Sequence, residues 1–70
     1  MKKNIQILMK YFGKAYGLKR KTDRYRYVAD ELGVTSKTIW NVLNDKTQNP
    51  ILERLAQKVV DDFRAKDLIK

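Results

Sequence analysis

This chain of 70 residues offers few side chains for chemistry, and their types already exclude most reactions. It contains neither Cys nor His, which removes thiol nucleophiles, disulfides, zinc fingers and imidazole acid–base work. Asp61 and Asp62 stand side by side, but neighbours on a helix diverge by about 100° and do not make an acid–base pair. Positive charge is what the chain concentrates. Lys19-Arg20-Lys21-x-x-Arg24-x-Arg26 places five cations in eight residues, and residues 1–26 hold nine Lys and Arg against one acid, Asp23. The remainder is nearly balanced, so the formal net charge of +8 belongs to the first third. Cations at that density neutralise phosphates and release their counterions. The expected partner is a polyanion, either nucleic acid or an anionic membrane surface. No catalytic residue, metal ligand, cofactor or small-molecule ligand is expected.

The elements that must position these cations read as helices. Ile5, Leu8, Met9, Phe12, Ala15 and Tyr16 recur at spacings of three and four, the period of an amphipathic helix from about Asn4 to Tyr16. Gly17 ends it, and Gly13 costs roughly 1 kcal/mol relative to Ala, enough to end or loosen it early. Thr22 or Asp23 is expected to cap a second helix of about two turns carrying Val28, Ala29 and Leu32, stopped by a left-handed Gly33. Thr35 is expected to cap a third, with Val34 packing on Ile39 as a hydrophobic staple and Ile39, Val42 and Leu43 as its inner face. Residues 44–49 have turn chemistry. Asn49 then caps and Pro50 starts a fourth helix, whose first turn carries Glu53 to suit the helix dipole. No segment alternates with a period of two for long enough to make a strand. The expected fold is all-α, a compact single-domain bundle of four or five helices spanning residues 1–70. A mean hydropathy of −0.62 with 43% hydrophobic residues fits a folding domain.

Residues 25–44, Tyr25-Arg26-Tyr27-Val28-Ala29-Asp30-Glu31-Leu32-Gly33-Val34-Thr35-Ser36-Lys37-Thr38-Ile39-Trp40-Asn41-Val42-Leu43-Asn44, resemble the helix-turn-helix of prokaryotic and phage regulators. Ala29 is small where the next helix crosses, and Gly33 suits a turn that needs positive φ. Val28, Leu32, Val34, Ile39 and Val42 are apolar where the two helices meet. The run Val28-Ala29-x-x-x-Gly33-Val34-Thr35-x-x-Thr38-Ile39-x-x-Val42-Leu43-Asn44 resembles the headpiece of the lactose-repressor family. A full helix before the motif and a Pro-initiated helix after it are closer to the small phage Cro and C-type repressors of the lambda-repressor-like fold. Tyr11-Phe12-Gly13 and Ala15-Tyr16-Gly17-Leu18-Lys19 are similar to stretches that precede the motif there. The resemblance implies a sequence-specific regulator of transcription, repressor-like, that binds double-stranded DNA.

On the third helix, an advance of about 100° per residue puts Ile39, Val42 and Leu43 on one arc. Lys37, Trp40, Asn41 and Asn44 lie opposite, with Thr38 on the far flank. Such a helix enters the major groove with its first residues at the base edges. Lys37 can donate to guanine O6 and N7, and Asn41 can pair with adenine N6 and N7. Ser36 and Lys37 match the two leading base-reading positions of the lactose-repressor family. Asn41 stands where that family often has Arg, so its base preference does not transfer. Trp40, larger than the Ser or Thr usual there, either meets the DNA or folds back beside Leu43. Thr35, Thr38 and Asn44 are expected at phosphates, together with Lys19, Arg20, Lys21, Arg24 and Arg26. The Tyr25 phenol either joins them or is structural.

The fourth helix carries an apolar arc of about half its circumference, wider than the roughly 100° one small core requires. Ala56, Val60 and Phe63 therefore either cover the first helix as well or form a two-fold dimer interface presenting two reading helices to successive grooves. Two other functions compete. One is a recombination or excision accessory factor, or the recognition module of a recombinase. The other is a protein-interaction bundle whose basic first helix lies on membranes. No apolar run approaches a membrane span, and Met1-Lys2-Lys3 is not followed by a signal-peptide core. A cytoplasmic protein without a membrane partner is expected.

Overall fold

The computed structural model describes residues 2–69. Four helices follow one another, α1 (Lys3–Ala15), α2 (Lys21–Leu32), α3 (Ser36–Leu43) and α4 (Pro50–Ala65), with no strand among the described residues. α1 and α2 each meet all three other helices. α1 packs mainly on α2 and α4, and α2 mainly on α1 and α3; α1–α3 and α2–α4 meet less extensively. Each helix contributes its apolar stripe to one core: Ile5, Leu8 and Phe12 from α1, Val28, Ala29 and Leu32 from α2, Ile39 and Val42 from α3, and Leu52, Ala56 and Val60 from α4. Removing such side chains from water supplies most of the driving force in a chain this small.

All four helices stop in the same way. Gly17 and Gly33 take positive φ, 64° and 70°, and Asp45 and Asp67 occupy the equivalent left-handed positions after α3 and α4, at 58° and 60°. In each case the amide of the following residue donates back to the carbonyl five residues earlier: Leu18 to Gly13, Val34 to Ala29, Lys46 to Asn41 and Leu68 to Phe63. This is the Schellman arrangement, which satisfies carbonyls the helix end would otherwise orphan. Two of the expected N-caps are in place. The Thr35 side chain accepts from the Thr38 amide at 3.3 Å, and Asn49 Oδ1 accepts from the Leu52 amide at 3.0 Å, with Pro50 at the first helical position.

Several expectations need correction. α1 begins at Lys3 and continues through Gly13 to Ala15, so the bundle has four helices and no early break. α2 starts at Lys21 after an extended Arg20 cap and runs 12 residues, more than three turns; Thr22 and Asp23 lie in its first turn and do not cap it. The connection to α1 is held by Arg24 instead. Its Nε donates to the Leu18 carbonyl at 2.9 Å and Nη2 to the Lys19 carbonyl at 3.0 Å, and its aliphatic stem lies over Gly13, where a Cβ would meet Arg24 Cδ and Nε at 3.0 Å. Ala56 and Val60 are fully buried within the chain, and Phe63 is half-buried with its ring 5.0 Å from Tyr11 and 6.1 Å from Phe12. These three do not form an exposed dimer face. α4 touches both α1 and α2, and two neighbours require the wider apolar arc.

Candidate nucleic-acid interface

α3 is a helix of two turns held at three points. Its inner face is anchored by Ile39 and Val42, 0% and 5% exposed. The Thr35 hydroxyl caps its start and lies 3.0 Å from the Thr38 hydroxyl. At its other end, Lys2 reaches across from the start of α1 and donates to the Leu43 carbonyl at 3.1 Å and to Asp45 Oδ2 at 2.9 Å. A cation at a helix C-terminus is favoured by the dipole as well as by the hydrogen bonds. In the sequence, Lys2 is indistinguishable from the solvated lysines around it. Its partners lie more than 40 residues away, and no local pattern could have found them.

With the inner face fixed, the outer face of α3 is exposed in part. Lys37 is exposed, Ser36 and Asn41 are half-buried, and Trp40 is 42% exposed rather than folded into the core. Asn44 is exposed, and its Nδ2 donates to the Trp40 carbonyl at 2.9 Å, so part of its hydrogen-bonding capacity closes its own helix. Thr35 is exposed and Thr38 half-buried, each hydroxyl already engaged by the other. Lys46 is exposed just beyond the end of α3. It adds a cation there that a reading of residues 44–49 as turn chemistry alone passes over.

The basic cluster divides into two groups. Lys19, Arg20, Lys21 and Arg26 are exposed, with Arg20 loosely paired to Asp23 at 3.7 Å in the first turn of α2. Arg24 is turned inward onto loop carbonyls, so it belongs to the α1–α2 connection and not to a phosphate. Tyr25 is half-buried and packs against the core, which favours the structural of its two expected roles. Tyr27 is exposed, with its ring 5.0 Å from that of Tyr16.

Lys19 and Arg20 precede α2 and Lys21 opens it, while α3 follows its far end in the chain; the twelve residues of α2 at about 1.5 Å rise make it roughly 18 Å long. One surface offers base-sized hydrogen-bonding groups on a helix, and another offers cations at the start of the helix before it. Among the described residues no helix is long and apolar enough to cross a membrane. No family model matches the chain, and no curated protein or solved structure matches it.

Proposed function

We propose that this protein is a sequence-specific double-stranded DNA-binding regulator in which α2 and α3 act as a helix-turn-helix of lambda-repressor-like type, with α3 in the major groove. The observation that carries this reading is the outer face of α3. Four side chains able to meet base edges, Ser36, Lys37, Trp40 and Asn41, lie outside a helix whose inner side is locked by Ile39 and Val42. Such a helix fits a groove about 12 Å wide. The roughly 18 Å length of α2 then carries Lys19, Arg20 and Lys21 past the groove edge to the flanking phosphates, where they supply attachment without sequence preference. Thr35, Thr38, Asn44 and Arg26 join them at the backbone.

The deciding experiment is selection of bound sites from a random duplex pool, followed by titration of the winner with Trp40 fluorescence as readout. Enrichment of a defined site with a change in Trp40 emission is the expected result. Absence of enrichment at physiological salt refutes sequence-specific recognition. A palindromic winner calls for a second copy of the chain, and the apolar side chains that α4 leaves outside for one are Ile51 and Leu55, 72% and 40% exposed.

A further inference from the structure

A groove of about 640 Å³ runs between α1 and the end of α4, and α3 contributes nothing to it. Its floor is apolar: Ile7 and Tyr11 from α1 with Leu68 and Ile69 from the segment that folds back after α4. Its rim is cationic, formed by Lys10, Lys14 and Arg64, all exposed. No acidic side chain lines it, and no ion pair among the described residues engages the three cations.

We propose that this groove docks an acidic amphipathic helix of a partner protein. The lining selects an occupant that is apolar along one face and acidic on both flanks, because Ile7, Tyr11 and Ile69 are half-buried between Lys10 and Lys14 on α1 and Arg64 on α4. A nucleic acid duplex would leave the apolar floor unused. A helix laid along the groove buries its apolar stripe on Ile7, Tyr11 and Leu68, the helix-in-groove mode of recognition. From Ile7 to Lys14 the groove follows about two turns of α1, so two or three apolar anchors at i, i+3/i+4 and i+7 fill it. Glu or Asp side chains on both flanks of that helix then face Lys10 and Lys14 on one side and Arg64 on the other. The inference is independent of the DNA-binding reading, since it uses none of the same residues.

The test uses the full chain and a fluorescein-labelled helical peptide of four turns, with Leu along one stripe and Glu on both flanks. A control peptide has the same Leu stripe and Lys flanks. Saturable binding of the acidic peptide alone is expected, with amide shifts at Ile7, Tyr11 and Leu68. The exposed pair Lys10→Glu with Lys14→Glu weakens it by about tenfold or more, while circular dichroism stays unchanged. Leu68→Ser weakens it through the floor. The proposal is overturned if the acidic peptide does not saturate, if its shifts map to α3, or if the charge reversal leaves affinity unchanged. It is also overturned if vesicles of phosphatidylglycerol and phosphatidylcholine compete with the peptide and show the same dependence on Lys10 and Lys14.

Discussion

At the scale of single residues, the proposed function puts base contacts on the side of α3 opposite to the buried Ile39 and Val42, and substitutions should separate accordingly. Asn41 is the clearest case. Replacing it with Ala removes a bidentate partner for adenine and is expected to cost about 1–3 kcal/mol of discrimination at one base pair. It should also raise stability by a few tenths of a kcal/mol, because Ala is the better helix former. Opposite signs in a binding titration and a urea melt mark a reader, whereas a joint loss of both would mark a structural residue. Arg24 shows how far a sequence can mislead at this scale. Within Lys19-Arg20-Lys21-x-x-Arg24-x-Arg26 nothing distinguishes it from its neighbours, yet it crosses Gly13 and ties down the Leu18 and Lys19 carbonyls. Gly13→Ala should therefore depend on it. In the native background, the roughly 1 kcal/mol gained in helix propensity is offset by displacing a guanidinium held at two points. In an Arg24→Ala background, the same substitution stabilises by about 1 kcal/mol. A double-mutant cycle in urea measures this coupling, and strict additivity would refute the interaction.

At the scale of elements, the helix ends carry the most legible information and also the least. Gly17, Gly33, Thr35, Asn49 and Pro50 announce their roles, because left-handed backbone, caps and first-turn proline are chosen by residue type. Asp45 and Asp67 were not legible as left-handed residues, since Asp adopts that conformation only where the surrounding turn demands it. Their strain can be measured. Asp67→Gly is expected to stabilise by about 0.5–1 kcal/mol, through relief of the positive φ and removal of a negative charge from a helix C-terminus. Asp45→Gly gains the same backbone relief but loses the Lys2 ion pair, so its effect should be smaller, and it should match that of Asp67→Gly only once Lys2→Met has already removed the pair. Equal effects in the native background would mean that the clamp from α1 to α3 contributes nothing. The four helices were readable because each has an apolar stripe at helical period. The start of α2 was not, because Thr22 and Asp23 are good caps by type while Arg24 fixes the connection through loop carbonyls. The Asn4 amide, which donates to Glu53 and Gln57 of α4 at 2.6 and 2.9 Å, joins residues some fifty positions apart and leaves no trace in local pattern.

For the whole molecule, a charge of +8 on 70 residues has two consequences that pull in opposite directions. It attracts a polyanion and also repels itself, destabilising the compact state at low ionic strength. The cations at the start of α2 lie at the centre of both effects, because Lys19, Arg20 and Lys21 are adjacent, exposed and opposed only by Asp23. The outer face of α3, by contrast, contributes a single cation, Lys37. If attachment and reading are divided in this way, the triple variant Lys19→Gln, Arg20→Gln, Lys21→Gln should weaken binding to every duplex by the same factor. The slope of log K against log salt should become shallower by about 0.9 for each phosphate left without its cation, roughly two to three in all. The ratio between the selected site and random DNA should stay where it was, because none of the three faces a base. The variant should also unfold at higher urea than the native chain in low salt, with the difference fading as salt screens the repulsion. That gain distinguishes missing charge from a damaged fold, since a protein that is more stable yet binds all DNA less well has given up only its attachment. Loss of preference for the selected site with nonspecific affinity intact would place the reading function in the cluster and remove α3 from that role.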